Sequence, residues 1–347
     1  MDSISVLFLG ELMLRLSPEN GKRLLQFPTL EVSFGGAEAN SAVLLSRLGC
    51  RTEFISAFPG NEFGEAALRE LRANNVGTRF CLKKDGRMGI YFLEKGGDQR
   101  PSKVIYDREN SSASKITPGD FNWPEIFRES GAGWLYVTGI TPAISSSAKE
   151  TVFSALEAAK KAGLKILIDL NFRKKLWNYG EKASQVMPRI ASYGDILIAN
   201  EEDIQKSLGI TTDRTGEVSS NLDETGYVEL IKKTREQYPG AELIAITLRE
   251  SFSADRNRWS AVVSAGKELI VSRKHVMEDI TDRIGAGDAF GAALLYAYCT
   301  MDDIKEIVEF SVAAAVLKHS VWGDFPLISL EEIKALAKGN ESGRVQR

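Results

Sequence analysis

The stretch Gly285-Ala286-Gly287-Asp288 places a carboxylate after three small residues and at the start of an apolar, alanine-rich segment typical of a helix. Glycine lets the chain turn tightly, and the free N–H groups at a helix N-terminus bind anions. Asp288 could therefore take a proton from an attacking hydroxyl while the N–H groups of Gly285, Ala286 and Gly287 hold a transferring phosphoryl group. The helix end is expected to lower the pKa of this carboxyl. An N-cap aspartate explains the residue type equally well.

A second polar cluster follows the apolar run that ends at residue 168. Asp169, Asn171 and Arg173 stand at alternate positions there. Open α/β sheets bind ligands just beyond the carboxyl ends of their strands, and an arginine can pair bidentately with a carboxylate or a phosphate. The cluster is therefore a candidate ligand site, or else a loop that caps the next helix.

A third cluster, Asn200-Glu201-Glu202-Asp203, follows another apolar run. Carboxylate and amide oxygens suit Mg²⁺, which keeps several of its waters when bound. The alternative is an acid-rich helix N-terminus.

A fourth stretch contains Gly35, Gly36 and Asn40 at the start of a predicted helix, where a small ligand could approach the backbone. These glycines come too late after the first strand for a dinucleotide fingerprint.

The elements that must position these residues alternate along the chain. Short apolar runs typical of buried strands occupy 6–9, 54–58, 134–137, 166–170, 196–199 and 243–247. Amphipathic helix-length segments separate most of them, for example 39–48, 62–74, 146–162 and 227–237. Buried strands that alternate with helices predict an α/β fold with a doubly wound, mainly parallel sheet covered on both faces.

Two segments interrupt this alternation. Residues 12–31 lack helical periodicity, and 88–112 contain two strand-like runs around a Gly-Gly turn. Together they are expected to form a small β lid on a single domain spanning 1–338, where a lid would exclude water from a site. An ordinary surface hairpin is the alternative. Residues 339–347 are expected to be a frayed tail.

Composition excludes several classes of function. The 347 residues carry a net charge of −3, so there is no electrostatic case for binding nucleic acid or an anionic membrane. The 3 cysteines are scattered, so neither a disulfide framework nor a zinc site is expected, and a reducing cytoplasm fits best. The 2 histidines are too few for a histidine-based metal site or catalytic triad.

The four motifs, in this order, resemble those of the ribokinase (PfkB) family of sugar kinases over roughly residues 6–336. The resemblance implies a ribokinase-like fold with a β lid, ATP as the phosphoryl donor, Mg²⁺, and a sugar hydroxyl as the acceptor. The stretches GIYF, VIYDR and DLNFRKKLW are similar to those of the subgroup that converts 2-keto-3-deoxygluconate to its 6-phosphate. That substrate carries a carboxylate, and Arg108 and Arg173 are candidates to bind it.

The same resemblance implies roles for individual residues. Asp288 is expected to be the base for the terminal hydroxyl, with the N–H groups of 285–288 as the anion hole, and Glu202 is expected to hold Mg²⁺ through water. The expected sugar-binding residues are Glu11, Gly35, Gly36, Asn40, Tyr91, Tyr106, Arg108, Asn171, Arg173 and Asp288. The expected nucleotide-binding residues are Asn200, Thr247, Arg249, Gly285, Gly287 and Lys318. Relatives often pair through their lids, so a homodimer is expected.

Two departures from the family pattern bear on the nucleotide and its ions. Arg283 and Ile284 stand where threonines usually organise a monovalent-cation site, which argues against activation by K⁺. Arg249 stands where a glycine-rich turn is usual after the strand 243–247, so it could contact a phosphate directly, or the nucleotide could sit differently. A fructokinase-like or other ketohexose kinase, and a sugar-binding regulator without catalysis, remain alternatives.

Overall fold

The computed structural model describes residues 4–19, 21–26, 28–212 and 224–339 of the chain. The expected tail beyond residue 339 lies outside these ranges. The strands, in chain order, are β1 (Ser5–Leu9), β2 (Met13–Ser17), β3 (Glu31–Gly35), β4 (Arg51–Phe58), β5 (Gly77–Lys83), β6 (Ile90–Glu94), β7 (Lys103–Asp107), β8 (Trp134–Thr138), β9 (Lys165–Asp169), β10 (Ile196–Asn200), β11 (Leu243–Ser251), β12 (Asn257–Ala265), β13 (Glu268–Val271) and β14 (His275–Met277).

The helices cover both faces of the main sheet. They are α1 (Ala37–Arg47), α2 (Glu62–Ala73), α3 (Trp123–Ser130), α4 (Ser146–Lys161), α5 (Ala183–Ala191), α6 (Glu201–Asp203), α7 (Glu224–Gln237), α8 (Ala286–Thr300), α9 (Ile304–Lys318) and α10 (Leu330–Ala337). Each strand and helix expected from the apolar patterns is present, with ends that shift by a few residues.

A ten-stranded sheet forms the body, and nine of its strands follow the order β13-β12-β11-β10-β9-β8-β1-β4-β5. From β11 to β5 every pairing is parallel. Alternate residues of β1 face opposite sides, because Val6 and Phe8 pack with α1, α2, α8, α9 and α10 while Leu7 and Leu9 pack with α3, α4, α5 and α7. The doubly wound α/β fold expected from the sequence is therefore confirmed.

The strand predicted over 243–247 is longer than expected. It continues to Ser251 and forms an antiparallel hairpin with β12. Thr247, Arg249 and Ser251 alternate onto one face, whereas Leu248 is buried on the other. Directly after residue 247 the chain continues as a strand, because β12 supplies backbone partners for four further residues of β11.

A second, four-stranded sheet has the order β3-β2-β6-β7; we call it the small sheet. The hairpin expected within 88–112 is present as β6 and β7, and it pairs with β2 from the segment after the first strand. One face of the small sheet carries Arg15, Tyr91 and Tyr106 in a cross-strand row. In the part of the chain that is described, no helix is long and apolar enough to cross a membrane.

Candidate functional site

A cavity of about 640 Å³ opens where the carboxyl ends of the parallel strands meet the small sheet. Polar strand-end residues form much of its wall, as expected for an open α/β sheet. The sequence-predicted site residues in this wall are Gly36, Asn40, Tyr91, Tyr106, Asn171, Arg173, Asn200, Glu202, Thr247, Arg249, Gly285, Ala286, Gly287 and Asp288.

Asp288 lies in the first turn of α8, whose N-cap is Gly285. Because Asp288 is not the N-cap residue, simple helix capping does not explain its carboxylate. Its Oδ2 instead accepts a hydrogen bond of 2.7 Å from Asn40 Nδ2 on α1. The hydroxyl of the neighbouring Ser41 donates to the Asp288 carbonyl at 3.1 Å. The glycine-rich stretch at 35–40 and the Gly-Ala-Gly-Asp stretch thus meet on one wall.

The pKa of Asp288 is raised, whereas the sequence predicted that it would be lowered. Burial raises it from 3.8 to about 7, and the Asn40 hydrogen bond and the positive charge of Arg173 only partly oppose this effect. The prediction of a lowered pKa was wrong because it counted the helix end and not the loss of water around the carboxyl. A carboxyl with a pKa near 7 is suited to accept a proton at neutral pH.

Gly285 makes the turn that begins α8. Its φ is +84°, a region that disfavours side chains, and a Cβ at this position would overlap the carbonyl oxygen of Asp324. The chain of 323–325 therefore packs directly against the turn. The free N–H groups of the first turn of α8 line the cavity beside the Asp288 carboxylate.

The cluster after β9 is held in an uncommon backbone conformation. Asn171 has a φ of +35°, and its backbone N–H donates to Asp169 Oδ1 at 3.2 Å. Asn171 Oδ1 is buried and has no hydrogen-bond partner among the described residues. Burial and the nearby carboxylates of Asp203 and Asp288 raise the pKa of Asp169 well above its usual range. The exposed Arg173 adds the positive charge at this side of the cavity.

The acid cluster at 200–203 divides into a capping part and a cavity part. Asn200 and Asp203 form a capping box for α6, and Asp203 Oδ1 also accepts the N–H of Phe172 at 2.8 Å. Glu202 is exposed at the cavity wall. Burial raises the pKa of Glu201 to about 7 and that of Asp203 to about 6. The acid-rich helix start expected as the alternative is therefore present at Asn200 and Asp203, and the Mg²⁺ role of Glu202 stays a prediction.

The small sheet closes one side of the cavity. Met13, Tyr91, Val104 and Tyr106 face into it, and Ile284 packs against the same group. The Tyr91 hydroxyl donates to Asp324 Oδ1 at 2.6 Å.

Asp324 lies in the cavity wall and was missed by sequence reasoning. It follows the last glycine before α10 and belongs to none of the four motifs. Only its contacts with distant residues of the same chain, Arg15 and Tyr91, reveal it. Its side chain is 4 % exposed, and Arg15 contacts it from the small sheet.

Four predicted site residues lie outside the cavity wall. Arg108 is paired with Glu11, with its Nε 2.9 Å from Glu11 Oε2, and both side chains are buried. Gly35 packs against Asp324, where a Cβ would overlap the carboxylate. Lys318 is fully buried behind the Gly285 turn. None of the four lines the cavity in this structure, so their direct contacts with sugar or nucleotide stay predictions.

Two further arginines, Arg249 and Arg283, lie in the wall of the cavity. Arg249 is exposed there beside Thr247 and Ser251 of β11. Arg283 donates to the carbonyl of Ala254 at 2.7 Å, so it fastens the β11–β12 turn to the segment before α8. The uncommon residues at 283 and 284 thus have packing roles, one toward this turn and one toward the small sheet.

Comparison with known proteins places this site in a family. The profile of the pfkB family carbohydrate kinases matches residues 3–324. A 2-dehydro-3-deoxygalactonokinase of Haloferax volcanii is 30% identical over 345 residues, which cover 96% of each chain.

Two solved structures share both the fold and more than 30% of the sequence. The structure of 2-dehydro-3-deoxygluconokinase from Thermotoga maritima is 39% identical, with a TM-score of 0.90, and covers 97% of this chain and 100% of its own. A PfkB family carbohydrate kinase from Listeria grayi is 31% identical, with a TM-score of 0.87, covering 96% of this chain and 99% of its own. The family profile spans nearly the whole chain, and a relative 30% identical covers it almost completely: the chain belongs to the pfkB family of carbohydrate kinases.

Proposed function

We propose that the protein transfers the γ-phosphoryl group of ATP to the terminal hydroxyl of an acidic keto sugar, 2-keto-3-deoxygluconate or a close stereoisomer. The observation that carries the proposal is that Asp288, at the start of α8, and the exposed Arg173 line the same cavity. The first suits a hydroxyl that must lose a proton, and the second suits a carboxylate. The relatives named for keto-deoxy sugar acids support this substrate class.

The chemistry assigned to the chain's own residues is proton removal and charge stabilisation. Asp288 takes the proton of the sugar hydroxyl as the hydroxyl oxygen attacks the γ-phosphorus, and the bond from that phosphorus to the β,γ-bridging oxygen breaks to release ADP. The N–H groups of 285–288 then face the equatorial oxygens of the transferring group. Asn40 holds the Asp288 carboxylate in position at 2.7 Å. Tyr91 and Tyr106 cover the sugar from the small sheet, which would act as a lid that excludes water.

The nucleotide is assigned to the end of the cavity that holds Asn200, Thr247 and Arg249. Arg249 is the candidate to contact a phosphate. The described residues contain no group of three or more histidine, cysteine or acidic side chains that could hold a metal. This fits Mg²⁺ that is carried by the phosphates and keeps its waters, with the exposed Glu202 as a partner through water. Bound Mg²⁺ would neutralise charge on the phosphates.

The outer face of the small sheet supports the expected homodimer. Val32, Leu16, Phe92 and Ile105 form one cross-strand row on that face. Val32 is 60% exposed and Ile105 is 41% exposed. An apolar row of this kind is commonly covered by a partner. If a second copy covers it, Val32→Asp will convert a dimer to a monomer in size-exclusion chromatography with light scattering.

A coupled ADP-release assay over acidic and neutral keto sugars tests the function. The proposal predicts the highest kcat/KM for a 2-keto-3-deoxy sugar acid, and the panel should contain the gluconate and galactonate forms. A preference for fructose would favour the fructokinase-like alternative. Binding of sugar without any ADP release would favour a regulator that lacks catalysis.

A further inference from the structure

Lys318 is a fully buried lysine that the proposed reaction does not use. It is the last residue of α9, and its side chain is 0% exposed. Its Nζ donates to the carbonyl of Val321 at 3.0 Å. A buried ammonium is costly unless surrounding groups compensate its charge, so the surroundings of Lys318 require an explanation.

Two buried carboxylates and one further cation surround it. Burial lowers the pKa of Lys318, and the nearby carboxylates of Asp282 and Asp324 partly oppose this effect. Arg15 of the small sheet contacts both carboxylates, at 2.6 Å to Asp282 and 2.8 Å to Asp324. All four side chains are nine-tenths or more buried, so two basic and two acidic side chains lie together inside the protein.

This buried charge cluster, formed by Arg15, Asp282, Lys318 and Asp324, lies directly behind the anion hole. The Lys318 Cε would be 3.3 Å from a Cβ built on Gly285. Asp282 accepts the N–H of Ile284 at 3.0 Å and that of Gly323 at 3.2 Å. The cluster therefore joins the segment that leads into α8 to the 318–324 segment that packs against the Gly285 turn.

We infer that Lys318 is a positioning residue whose internal ammonium fixes the Gly285 turn, so that the N–H groups of α8 face the transferring phosphoryl group. Its charge also lies on the protein side of that group, where it opposes the negative charge that develops during transfer. Arg15 extends the same cluster to the small sheet. The same buried contacts therefore support both the small sheet over the sugar and the Gly285 turn that shapes the anion hole. The inference rests on the proposed kinase function.

Substitution at Lys318 should lower turnover more than sugar binding. For Lys318→Met, which keeps the volume and removes the charge, kcat is expected to fall roughly 100-fold, the scale for loss of one oxyanion-hole contact. The KM for the sugar is expected to stay within a factor of about three, because Lys318 does not line the cavity. Lys305→Met, at an exposed lysine on the same helix, is the matched control and should leave kcat unchanged.

Chemical rescue separates a positioning cation from a merely structural lysine. In Lys318→Ala, the missing atoms correspond to a propylammonium ion, so added n-propylammonium should restore kcat in a saturable manner. The neutral n-propanol fills a similar volume without charge and should not restore it. Melting temperatures measured with each additive show whether recovery of kcat follows recovery of folding.

Three results would overturn the inference. Lys318→Met could retain full kcat, or n-propanol could rescue Lys318→Ala as well as n-propylammonium does. The third is that kcat recovers fully whenever the melting temperature is restored, even without an added cation. Failure of the proposed function is a separate outcome, because the wild-type protein would then turn over no sugar of the panel. In that case the affinity of wild-type and Lys318→Met protein for pyrophosphate, measured by calorimetry, still decides the inference. Equal affinities would contradict it, and weaker binding by the variant is the expected result.

Discussion

Asn40 and Asp288, 248 residues apart in the chain, are joined by a hydrogen bond of 2.7 Å from the amide Nδ2 to the carboxylate Oδ2. This bond ties the N-terminal turn of α1 to that of α8 across the carboxyl edge of the sheet. It fixes which oxygen of Asp288 remains for another partner. It also acts against the burial that raises the Asp288 pKa to about 7.

Replacing Asp288 by asparagine should abolish most turnover while preserving the binding site. The substitution keeps the shape and removes the proton acceptor, so kcat is expected to fall roughly 10²- to 10⁴-fold. Calorimetry should still detect binding of both sugar and ATP. Asp302→Asn, at an exposed site near the end of α8, is the control and should retain wild-type kcat. Retained turnover in Asp288→Asn would remove the carboxylate from the mechanism.

The pH dependence of kcat/KM should report Asp288. The base must be ionised to accept a proton, so activity is expected to rise with pH through an inflection near 7 and to be low below it. Glu201 and Asp203 titrate in a similar range, so a variant is needed to assign the inflection.

Asn40→Ala supplies that assignment. The Asn40 hydrogen bond lowers the Asp288 pKa, so its loss should move the inflection to higher pH. Ser41→Ala is the neighbouring control, because the Ser41 hydroxyl hydrogen-bonds to the Asp288 main-chain carbonyl and the Tyr136 hydroxyl and not to the Asp288 carboxylate. An inflection that stays in place in Asn40→Ala would assign the pH dependence to another group.

Two glycines of the same motif should differ in their tolerance of alanine. Gly285→Ala places a Cβ at a φ of +84° and against Asp324, so it should lower the free energy of unfolding by at least about 1–3 kcal/mol. A Cβ on Gly287 meets open space, and alanine favours a helix, so Gly287→Ala should be neutral or slightly stabilising. Urea denaturation of the two variants compares them directly, and equal stabilities would contradict the strained-turn account.

Arg108 should matter for stability before it matters for substrate. In Arg108→Ala the buried Glu11 carboxylate loses its partner, which costs about 3–5 kcal/mol of unfolding free energy. The double variant Glu11→Gln/Arg108→Met should recover most of that loss. Arg87→Ala breaks an exposed pair with Asp107 and should cost about 1 kcal/mol or less. A stable single variant at Arg108 would show that the buried pair is not a structural element.

The sequence predicted what depends on local pattern. Alternating apolar runs gave the doubly wound sheet, and the glycine-rich motifs located Asn40 and Asp288, because turns and helix starts have local residue preferences. The contacts of Asp324, Lys318 and Arg108 are between segments far apart in the chain, as with Arg108 and Glu11 at a separation of 97 residues. Such pairs leave no local signal. The predicted direction of the Asp288 pKa shift was wrong for the same reason, because the burial of this carboxyl is a property of the assembled cavity.

The kcat/KM ratio between a 2-keto-3-deoxy sugar acid and the matching neutral keto sugar tests the central claim most directly. Wild-type protein should prefer the acid, and Arg173→Ala should lose most of that preference by slowing the acid alone, because only the acid carries a carboxylate for the guanidinium. Lys175→Ala, an exposed residue of the same loop, should leave the ratio unchanged. An unchanged acid preference in Arg173→Ala, or a wild-type preference for the neutral sugar, would contradict the account.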